Sequence, residues 1–571
     1  MHLRKLQSTI AQAIEGKATF VIKNARVVNV FTLEIIHGDI ALAGERILGV
    51  GGSYTADQEY DAAGAFVCPG FIDSHVHIES SMSTPVSFAR TVLPHGTTTV
   101  IADPHEIANV AGGAGLTYML EQFENLPLSI YMMLPSCVPC LPFEHNGAVL
   151  SAKELAPFLS HPRVLGLGEV MDYPSVAAGD MGMLEKLALF ANRPIDGHAP
   201  LVTGRALDAY RIAGPSSDHE CSNYDEMLEK LRTGMHIQLR MGSAAHGIET
   251  ILRRIAYEEL ATDNMSFCTD DKHLEDIRRD GHINYILRRA VACGINPLTA
   301  VRMATWNAAR HYGLNDIGAI APGYRADLVL LPDLESFRPL AVLTNGVLYK
   351  DAPLPIPAPP NEVLNSVHLK PRAVDALTLQ VTGDMPVIEL IPGQLVTKLS
   401  IREVPHQDGL FQSGWGLNKL AVLERHHATG SIGLGILSGL GVVNGALAST
   451  VAHDSHNLIV AGDNDADMHV AIDALEKSGG GYAVVRGGKV RALLPLPIAG
   501  LMTEAPLEEL LDAQRRLLHE AALLGVQSAS DPFITLSFLA LPVIPEGRLT
   551  DMGVFQVSAQ RFLNAGNGLH E

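Results

Sequence analysis

The architecture of this chain can be read outward from one segment, Pro69-Gly70-Phe71-Ile72-Asp73-Ser74-His75-Val76-His77. It has the composition of a buried strand and ends in two histidines separated by one residue. Residues i and i+2 of a strand point to the same face, so the imidazoles of His75 and His77 face one point. An alternating edge strand with two incidental histidines would show the same pattern, so the segment alone leaves metal binding and a structural role open.

The surrounding sequence, from Cys68 to about Trp306, alternates between two patterns. Stretches with helical periodicity separate short segments of buried-strand character at 97–102, 128–132, 164–167, 235–239 and 266–269. Repeated βα units of this kind predict a parallel α/β architecture. Its most economical form is a TIM-like (β/α)8 barrel, which we place at residues 68–315 and whose active site would lie at the carboxyl ends of the strands.

The predicted barrel interrupts a smaller β-structure. Residues 1–67 contain short apolar runs separated by turn signals, and residues 318–331 are strand-like again within a return segment, 316–360. A proline-rich linker lies at 352–361. Residues 361–571 carry mixed strand and helix patterns and are long enough for an additional C-terminal α+β domain.

Four further residues with metal-binding side chains stand at the ends of predicted strands or in the turns after them. They are Glu169, His198, His219 and Asp270. At roughly 20–30 residues per βα unit, their spacing puts the ligands on strands 1, 4, 5, 6 and 8 of a barrel. Four histidines and two carboxylates at one barrel mouth suit two divalent ions bridged by Glu169. The predicted metal ligands are therefore His75, His77, Glu169, His198, His219 and Asp270.

These residues resemble the amidohydrolase superfamily and, within it, the bacterial adenine deaminases. The narrower resemblance rests on five segments, namely residues 78–82 (IESSM), 94–99 (PHGTTT), 103–110 (DPHEIANV), 451–457 (VAHDSHN) and 494–502 (LPLPIAGLM). It implies that the small β-structure is a composite β-sandwich. It also implies that Glu169 bridges the ions where many superfamily members use a carboxylated lysine, and that Mn or Fe is favoured, with Zn possible.

The resemblance implies deamination of adenine to hypoxanthine and ammonia, a reaction of purine salvage, by metal-activated hydroxide attacking C6. Asp270 would accept the proton of the hydroxide. Asp103 and Glu106, on the loop after strand 2, are candidates for proton relay or substrate contact. Glu220 and Asp271 either bind ring nitrogens or support the ligands beside them, and both interpretations stay open here.

Three alternatives compete with this interpretation. Another binuclear amidohydrolase, acting on a cyclic amide or a different nucleobase, is disfavoured by Glu169 and by the segment 103–106. A non-catalytic scaffold would be expected to have lost ligands, whereas all six positions are filled. The pair Cys137 and Cys140 resembles part of the cytidine-deaminase zinc signature, but such a site would leave most of the other ligands unexplained.

Composition narrows the partners and the compartment. Hydrophobic residues form 47% of the 571 residues, enough for several buried cores, and a charge of 42 − 62 = −20 disfavours nucleic acid or an anionic membrane as a partner. Six scattered cysteines, no apolar run of about 18 residues and no leader-like segment predict a cytoplasmic protein. The expected partner is a small purine base, and the C-terminal domain offers surface for a homodimer.

The loop carrying His453 and His456 allows two interpretations. Both side chains could be ordinary hydrogen-bonding loop residues. Alternatively, the loop packs over the barrel mouth and helps to close the site.

Overall fold

The computed structural model describes residues 3–243, 247–526 and 531–563. The chain begins with helix α1 (Leu3–Glu15) and continues into strands β1 (Phe20–Asn29), β2 (Glu34–Ala43), β3 (Arg46–Val50), β4 (Gln58–Asp61) and β5 (Phe66–Pro69). The last of these spans the predicted boundary at residue 67. All five belong to a small sheet that is completed only after the barrel.

Eight parallel strands among the described residues build the barrel: β6 (Phe71–Val76), β7 (Thr97–Ala102), β8 (Ser129–Leu134), β9 (Val164–Val170), β10 (Ile195–Gly197), β11 (Ser217–Asp218), β12 (His236–Arg240) and β13 (Met265–Cys268). They pair as two sheets, β6 to β10 and β11 to β13. Backbone hydrogen bonds join the sheets at both seams, from Ser216 N to Ile195 O at 2.8 Å and from Asp270 N to His75 O at 3.0 Å. The barrel strands are almost wholly buried, as parallel strands covered on both faces must be.

Helices connect these strands and continue after β13: α2 (Pro85–Val92), α3 (His105–Gln122), α4 (Ala152–Leu155), α5 (Tyr173–Ala178), α6 (Met181–Leu189), α7 (Gly204–Ile212), α8 (Tyr224–Arg232), α9 (Ile248–Tyr257), α10 (Leu274–Asp280), α11 (Ile283–Ala292), α12 (Pro297–Arg302) and α13 (Ala308–His311). Several begin at capping side chains. Thr84 accepts a hydrogen bond from Ser87 N, with Pro85 in the first turn, and Asn223 accepts one from Glu226 N. Local sequence therefore sets where these helices start.

The small sheet is completed by β14 (Leu328–Leu331), β15 (Ala341–Thr344) and β16 (Val347–Leu348). Its order is β16-β15-β14-β5-β1-β2-β3, with β4 paired to β1, and its core includes Ile22, Val67 and Leu328. The strand expected over residues 318–331 is shorter than the sequence pattern suggests. Residues 318–327 form turns because Gly318 and Gly323 have φ of 80° and 88°, which a strand does not accommodate.

The C-terminal part contains helices α14 (Asn361–Leu364), α15 (Asp465–Ser478), α16 (Leu507–Leu523) and α17 (Pro532–Phe538). Its strands are β17 (Met385–Leu390), β18 (Thr397–Arg402), β19 (His406–Gln407), β20 (Leu410–Phe411), β21 (Leu417–Leu423), β22 (Ile432–Ser438), β23 (Ala446–Ser449), β24 (Leu458–Gly462), β25 (Gly481–Arg486), β26 (Lys489–Pro495), β27 (Gly547–Thr550), β28 (Gly553–Gln556) and β29 (Arg561–Leu563). The main sheet has the order β18-β17-β22-β21-β24-β23-β25-β26.

The C-terminal domain packs directly on the barrel. One hydrophobic cluster contains Ile107 of α3 together with Val451 and Leu501 of the C-terminal domain. Hydrogen bonds cross the same boundary, among them Asn457 Nδ2 to His145 O at 2.7 Å. Because apolar area and hydrogen bonds are shared, the loop at 451–457 lies against the barrel rather than in solvent.

The predicted fold class is confirmed: an α/β barrel of parallel strands is joined to a small β-domain and to a separate C-terminal α+β domain. Within residues 3–243, 247–526 and 531–563, no helix combines the length and the apolar character that a membrane crossing requires.

Lys230, on α8, is fully buried and holds the ends of two barrel strands together. Its Nζ lies 2.9 Å from Asp218 Oδ2 and 2.8 Å from Glu226 Oε1, and it donates to Ala199 O at 2.6 Å. Asp218 ends β11 and Ala199 follows β10, so one ammonium group ties the turns after both strands. Buried carboxylates left without this partner would be uncompensated charges.

We predict that Lys230→Met destabilises the barrel by about 3–5 kcal/mol, because it leaves Asp218 and Glu226 buried and unpaired. The measurement is the thermal unfolding midpoint followed by circular dichroism. Lys17→Met is the matched control, since Lys17 pairs with Glu15 at 3.0 Å with its side chain 69% exposed. Its effect should stay below about 1 kcal/mol. Equal midpoints for the two variants would contradict the role given to Lys230.

Candidate metal centre at the barrel mouth

The six predicted metal ligands all lie at the carboxyl ends of barrel strands: His75, His77, Glu169, His198, His219 and Asp270. The two histidines of the opening segment stand at the end of β6, and Glu169 is the penultimate residue of β9. The other three directly follow β10 and β11 or come two residues after β13. Because the strands are parallel and closed into a ring, these ends meet at one mouth.

The carboxylate of Glu169 lies at the centre of this group. Its Oε2 is 2.8 Å from His198 Nδ1 and 3.1 Å from His219 Nε2, and its Oε1 is 3.4 Å from His77 Nε2. Three triads of close, buried donor atoms share it, one with His75 and His77, one with His198 and His219, and one with Asp103 and His105. This sharing is the arrangement expected of a bridging ligand.

Asp270 closes the group from the opposite side. Its Oδ1 is 3.0 Å from His77 Nε2 and 3.4 Å from His75 Nε2, while its Oδ2 is 2.5 Å from Arg240 Nη1. The backbone of Asp270 has φ of 58°, in the left-handed region that non-glycine residues seldom occupy. Such backbone strain is found where structure holds a side chain in a required direction, here into the mouth.

The donor set fits divalent cations. His75 Nε2 and His77 Nε2 are 3.2 Å apart, and both face the same oxygen of Asp270. If both nitrogens carried protons, the two protons would point at each other and compete for this one oxygen. His77 Nδ1 donates to Asp103 O at 2.9 Å, which leaves Nε2 with the lone pair that a cation needs. In addition, His219 Nδ1 is buried without a hydrogen-bond partner among the described residues. Imidazole and carboxylate ligands without thiolate suit Mn, Fe or Zn.

Electrostatics in the cluster follow from its buried, opposed charges. Burial raises the pKa of Glu169, but His198 and His219 outweigh this and hold that pKa well below its usual value. Burial likewise raises the pKa of Asp270, but Arg240 and the two neighbouring histidines outweigh this effect. The pKa of Asp270 is therefore also held well below its usual value. Both carboxylates are therefore ionised, and positive charge close by stabilises this ionised form.

Asp103 and Glu106 lie beside the cluster but outside the lining of the mouth cavity, as far as the described residues show. Asp103 sits behind Glu169, whose backbone N–H donates to Asp103 Oδ2 at 2.9 Å. Glu106 belongs to the first turn of α3 rather than to the loop expected from the sequence. Burial raises its pKa well above the usual value, and the charges of Glu79 and Asp271 add to the effect.

Glu220 and Asp271, the predicted substrate-binding residues, do line the cavity. Glu220 Oε1 lies 2.5 Å from Arg240 Nη1 and 3.7 Å from His219 Nε2. Asp271 Oδ1 accepts a hydrogen bond from Ser80 Oγ at 2.5 Å. Both carboxylates therefore border the cavity together with the ligand cluster.

Sequence reasoning missed three cavity residues of the barrel, namely Met171, Arg240 and His105. Arg240 is the last residue of β12, and its position at the carboxyl end of a buried strand was the available signal. His105 Nδ1 lies 3.2 Å from Glu169 Oε1, and its Nε2 lies 3.7 Å from Asp454 Oδ1 of the C-terminal domain. That second contact joins residues more than 300 positions apart, which no local pattern reveals.

The C-terminal domain completes the cavity, whose volume is about 40 Å³. The barrel supplies most of the polar lining, whereas the C-terminal domain supplies the apolar residues Leu395, Phe538, Leu541 and Ile544. His453 also lines it and lies 3.6 Å from Glu106 Oε1, so its loop does lie over the mouth. His456 instead accepts a hydrogen bond from Ala452 N within the loop.

Comparisons with known proteins agree with this geometry. Residues 66–349 match the model of the amidohydrolase family, and residues 394–561 match that of the adenine deaminase C-terminal domain. Adenine deaminase 2 of Carboxydothermus hydrogenoformans is 48% identical over 97% of this chain and 98% of its own. The adenine deaminase of Geobacillus kaustophilus is 46% identical over 99% of each chain.

Similarity to solved structures is lower. The crystal structure of a β-aspartyl dipeptidase from Fervidobacterium islandicum matches 58% of this chain and 96% of its own at 20% identity, with a TM-score of 0.45, too low to support an argument. The relatives that match along the whole chain are sufficient: this protein belongs to the adenine deaminase family of the amidohydrolases.

Proposed function

We propose that this protein is a metal-dependent adenine deaminase that converts adenine and water to hypoxanthine and ammonia. The observation that carries the proposal is the convergence of five imidazole and carboxylate side chains around Glu169, beneath a small cavity lined by two further carboxylates. Relatives named adenine deaminases that match the whole chain support the choice of substrate.

The cofactor we propose is a pair of divalent ions, with Mn or Fe favoured and Zn possible. His75, His77 and Asp270 would hold one ion, His198 and His219 the other, and Glu169 both. When bound, such ions supply Lewis-acid activation of water near neutral pH. Asp103 would act behind this centre by fixing Glu169 through its backbone.

Asp270 is the proposed acceptor of the proton from the attacking water. Arg240 holds its Oδ2 at 2.5 Å, so the carboxylate is fixed with Oδ1 toward His75 and His77. Arg240 also contacts Glu220 at 2.5 Å. One guanidinium group therefore orients both the proposed base and a proposed substrate-binding carboxylate.

Glu106 is the proposed source of the proton for the departing ammonia. Ser80 Oγ lies 2.8 Å from Glu106 Oε1 and 2.5 Å from Asp271 Oδ1, but a hydroxyl donates only one proton. One of these carboxyl groups must therefore carry a proton, and burial beside Glu79 favours Glu106. The path from Glu106 through Ser80 to Asp271 leads from a buried acid to the cavity.

Substrate binding would combine the two kinds of lining. Adenine has a polar edge and apolar ring faces, and the cavity offers Glu220 and Asp271 on one side and Leu395, Phe538 and Ile544 on the other. A role in purine salvage, a cytoplasmic location and a homodimer rest on the sequence and stay predictions.

We predict adenine-dependent ammonia release by purified protein stripped of metal and resupplied with Mn, Fe or Zn in turn. The conversion to hypoxanthine is followed by ultraviolet absorbance and the ammonia by a coupled assay. Guanine, cytosine and dihydroorotate serve as comparison substrates. No turnover of adenine with any of the metals would refute the proposed function, and preferred turnover of another compound would replace adenine as substrate.

We predict that His219→Asn lowers bound metal by about one ion per chain, because it removes one imidazole ligand beside Glu169. Metal content is measured by plasma mass spectrometry after dialysis. His236→Asn is the matched control, since His236 is also buried in the barrel but stands at the amino end of β12, bonded to Ser266 Oγ at 2.8 Å. A similar metal loss in both variants would argue against the proposed ligand set.

We predict that Glu106→Gln lowers kcat about 100-fold or more, because the amide cannot transfer a proton. Metal content should not change, since Glu106 is outside the proposed ligand set. Glu144→Gln is the control: Glu144 is a buried glutamate whose pKa burial also raises well above its usual value, but it lies outside the cavity lining. An unchanged kcat for Glu106→Gln would remove this residue from the reaction.

A further inference from the structure

A second, larger space adjoins the catalytic cavity. Its volume is about 640 Å³, and its lining is mostly apolar, including Leu201, Ile248 and Val543. Six residues line both spaces: His198, His219, Glu220, Leu395, Ile544 and Arg240. Two of these, Leu395 and Ile544, are apolar residues of the C-terminal domain, and we call this pair the partition.

Arg548, on β27, binds the backbone of both partition residues. Its Nη2 donates to Leu395 O at 2.8 Å and to Pro545 O at 2.9 Å, and its Nε donates to Ile544 O at 2.6 Å. The side chain is fully buried. One rigid guanidinium group therefore joins two chain segments about 150 residues apart at the points where they enter the cavity wall.

Neighbouring contacts reinforce this junction. Thr397 N donates to Pro545 O at 3.0 Å, and Thr397 Oγ1 donates to Gly547 O at 2.9 Å. Burial lowers the pKa of Arg548 to about 9, which still leaves the guanidinium charged near neutral pH. Charged donors form shorter and stronger hydrogen bonds than neutral ones, so the segments are held firmly.

We propose that Leu395 and Ile544 determine substrate size, and that Arg548 is the positioning residue that holds them in place. The partition confines the reacting base to the catalytic cavity and separates it from the larger space. The chemical class admitted is then a free purine base, and a purine carrying a sugar at N9 is excluded. This inference rests on the proposed function and extends it.

The shape of the substrate supports this assignment. The reacting atom C6 belongs to the six-membered ring and must reach the metal centre, whereas N9 belongs to the five-membered ring at the far end of the purine. A substituent on N9 must therefore project out of the small cavity. The larger space adjoins that cavity at the partition and would hold the substituent if the partition were opened.

The test compares adenine with adenosine in Leu395→Ala and Ile544→Ala, measuring kcat/KM for each. We expect the ratio of adenine to adenosine to fall at least about tenfold, the effect that removing a few methylene groups from a pocket wall has on discrimination. Leu379→Ala is the matched control, because Leu379 lines a different cavity of the C-terminal domain. In this control, the ratio of kcat/KM for adenine to that for adenosine should equal the wild-type ratio.

Arg548→Lys tests the positioning role through a double-mutant cycle with Ile544→Ala. We expect the single variant Arg548→Lys to raise KM for adenine about three- to tenfold. Its kcat and metal content should change little, since the reacting groups stay in place. In combination, the two changes should be less than additive, because both act on one partition. Additive effects, or a loss in kcat alone, would overturn the positioning role.

Two outcomes keep this inference separate from the proposed function. If the wild type deaminates adenine but neither alanine variant changes the ratio, the partition proposal is wrong and the proposed function stands. If the wild type does not deaminate adenine, the proposed function fails, and the partition is tested by equilibrium binding of adenine and adenosine to the same variants. An unchanged ratio of the two Kd values would then overturn it.

Discussion

The attraction between one buried carboxylate and the histidines around it organises this molecule. Glu169 contacts His77, His198 and His219 within 3.4 Å at almost full burial, an arrangement that is costly unless every charge is compensated. The barrel satisfies this constraint because closing a parallel sheet brings strands 1, 4, 5, 6 and 8 to one mouth. Lys230 supports the same geometry from outside the cluster, and the strained backbone of Asp270 supports it from within.

The C-terminal domain packs against the barrel and completes the cavity above this centre. Two fully buried arginines hold the segments that it places over the mouth: Arg548 holds the partition, and Arg425 donates to the carbonyls of Ser366 and Ala499 and to that of His456 in the loop at 451–457. A barrel mouth lined with charged groups needs an apolar cover to shape a site for a flat base. The cover thus comes from a different domain than the reactive groups.

Much of the fold and the ligand set could be predicted because both have local signals. Strand periodicity, the His-x-His spacing and a carboxylate at the end of an apolar strand each lie within a few residues, and the parallel barrel converts them into one site. Arg240 carries the same kind of local signal at the carboxyl end of β12, but His105 and Asp454 could not be found in this way. Their roles depend on contacts such as His105 with Asp454, which only packing between domains creates.

The sequence by itself determined the barrel, the six ligand candidates and the membership of a deaminase family, since these follow from periodicity, residue type and resemblance. Only the tertiary structure decided which carboxylates face the cavity: Glu220 and Asp271 line it, whereas Asp103 lies behind Glu169 and Glu106 reaches it through Ser80. The reason is physical. A side chain's chemistry is encoded at its own position, but its partners are chosen by the packing of elements distant in the chain.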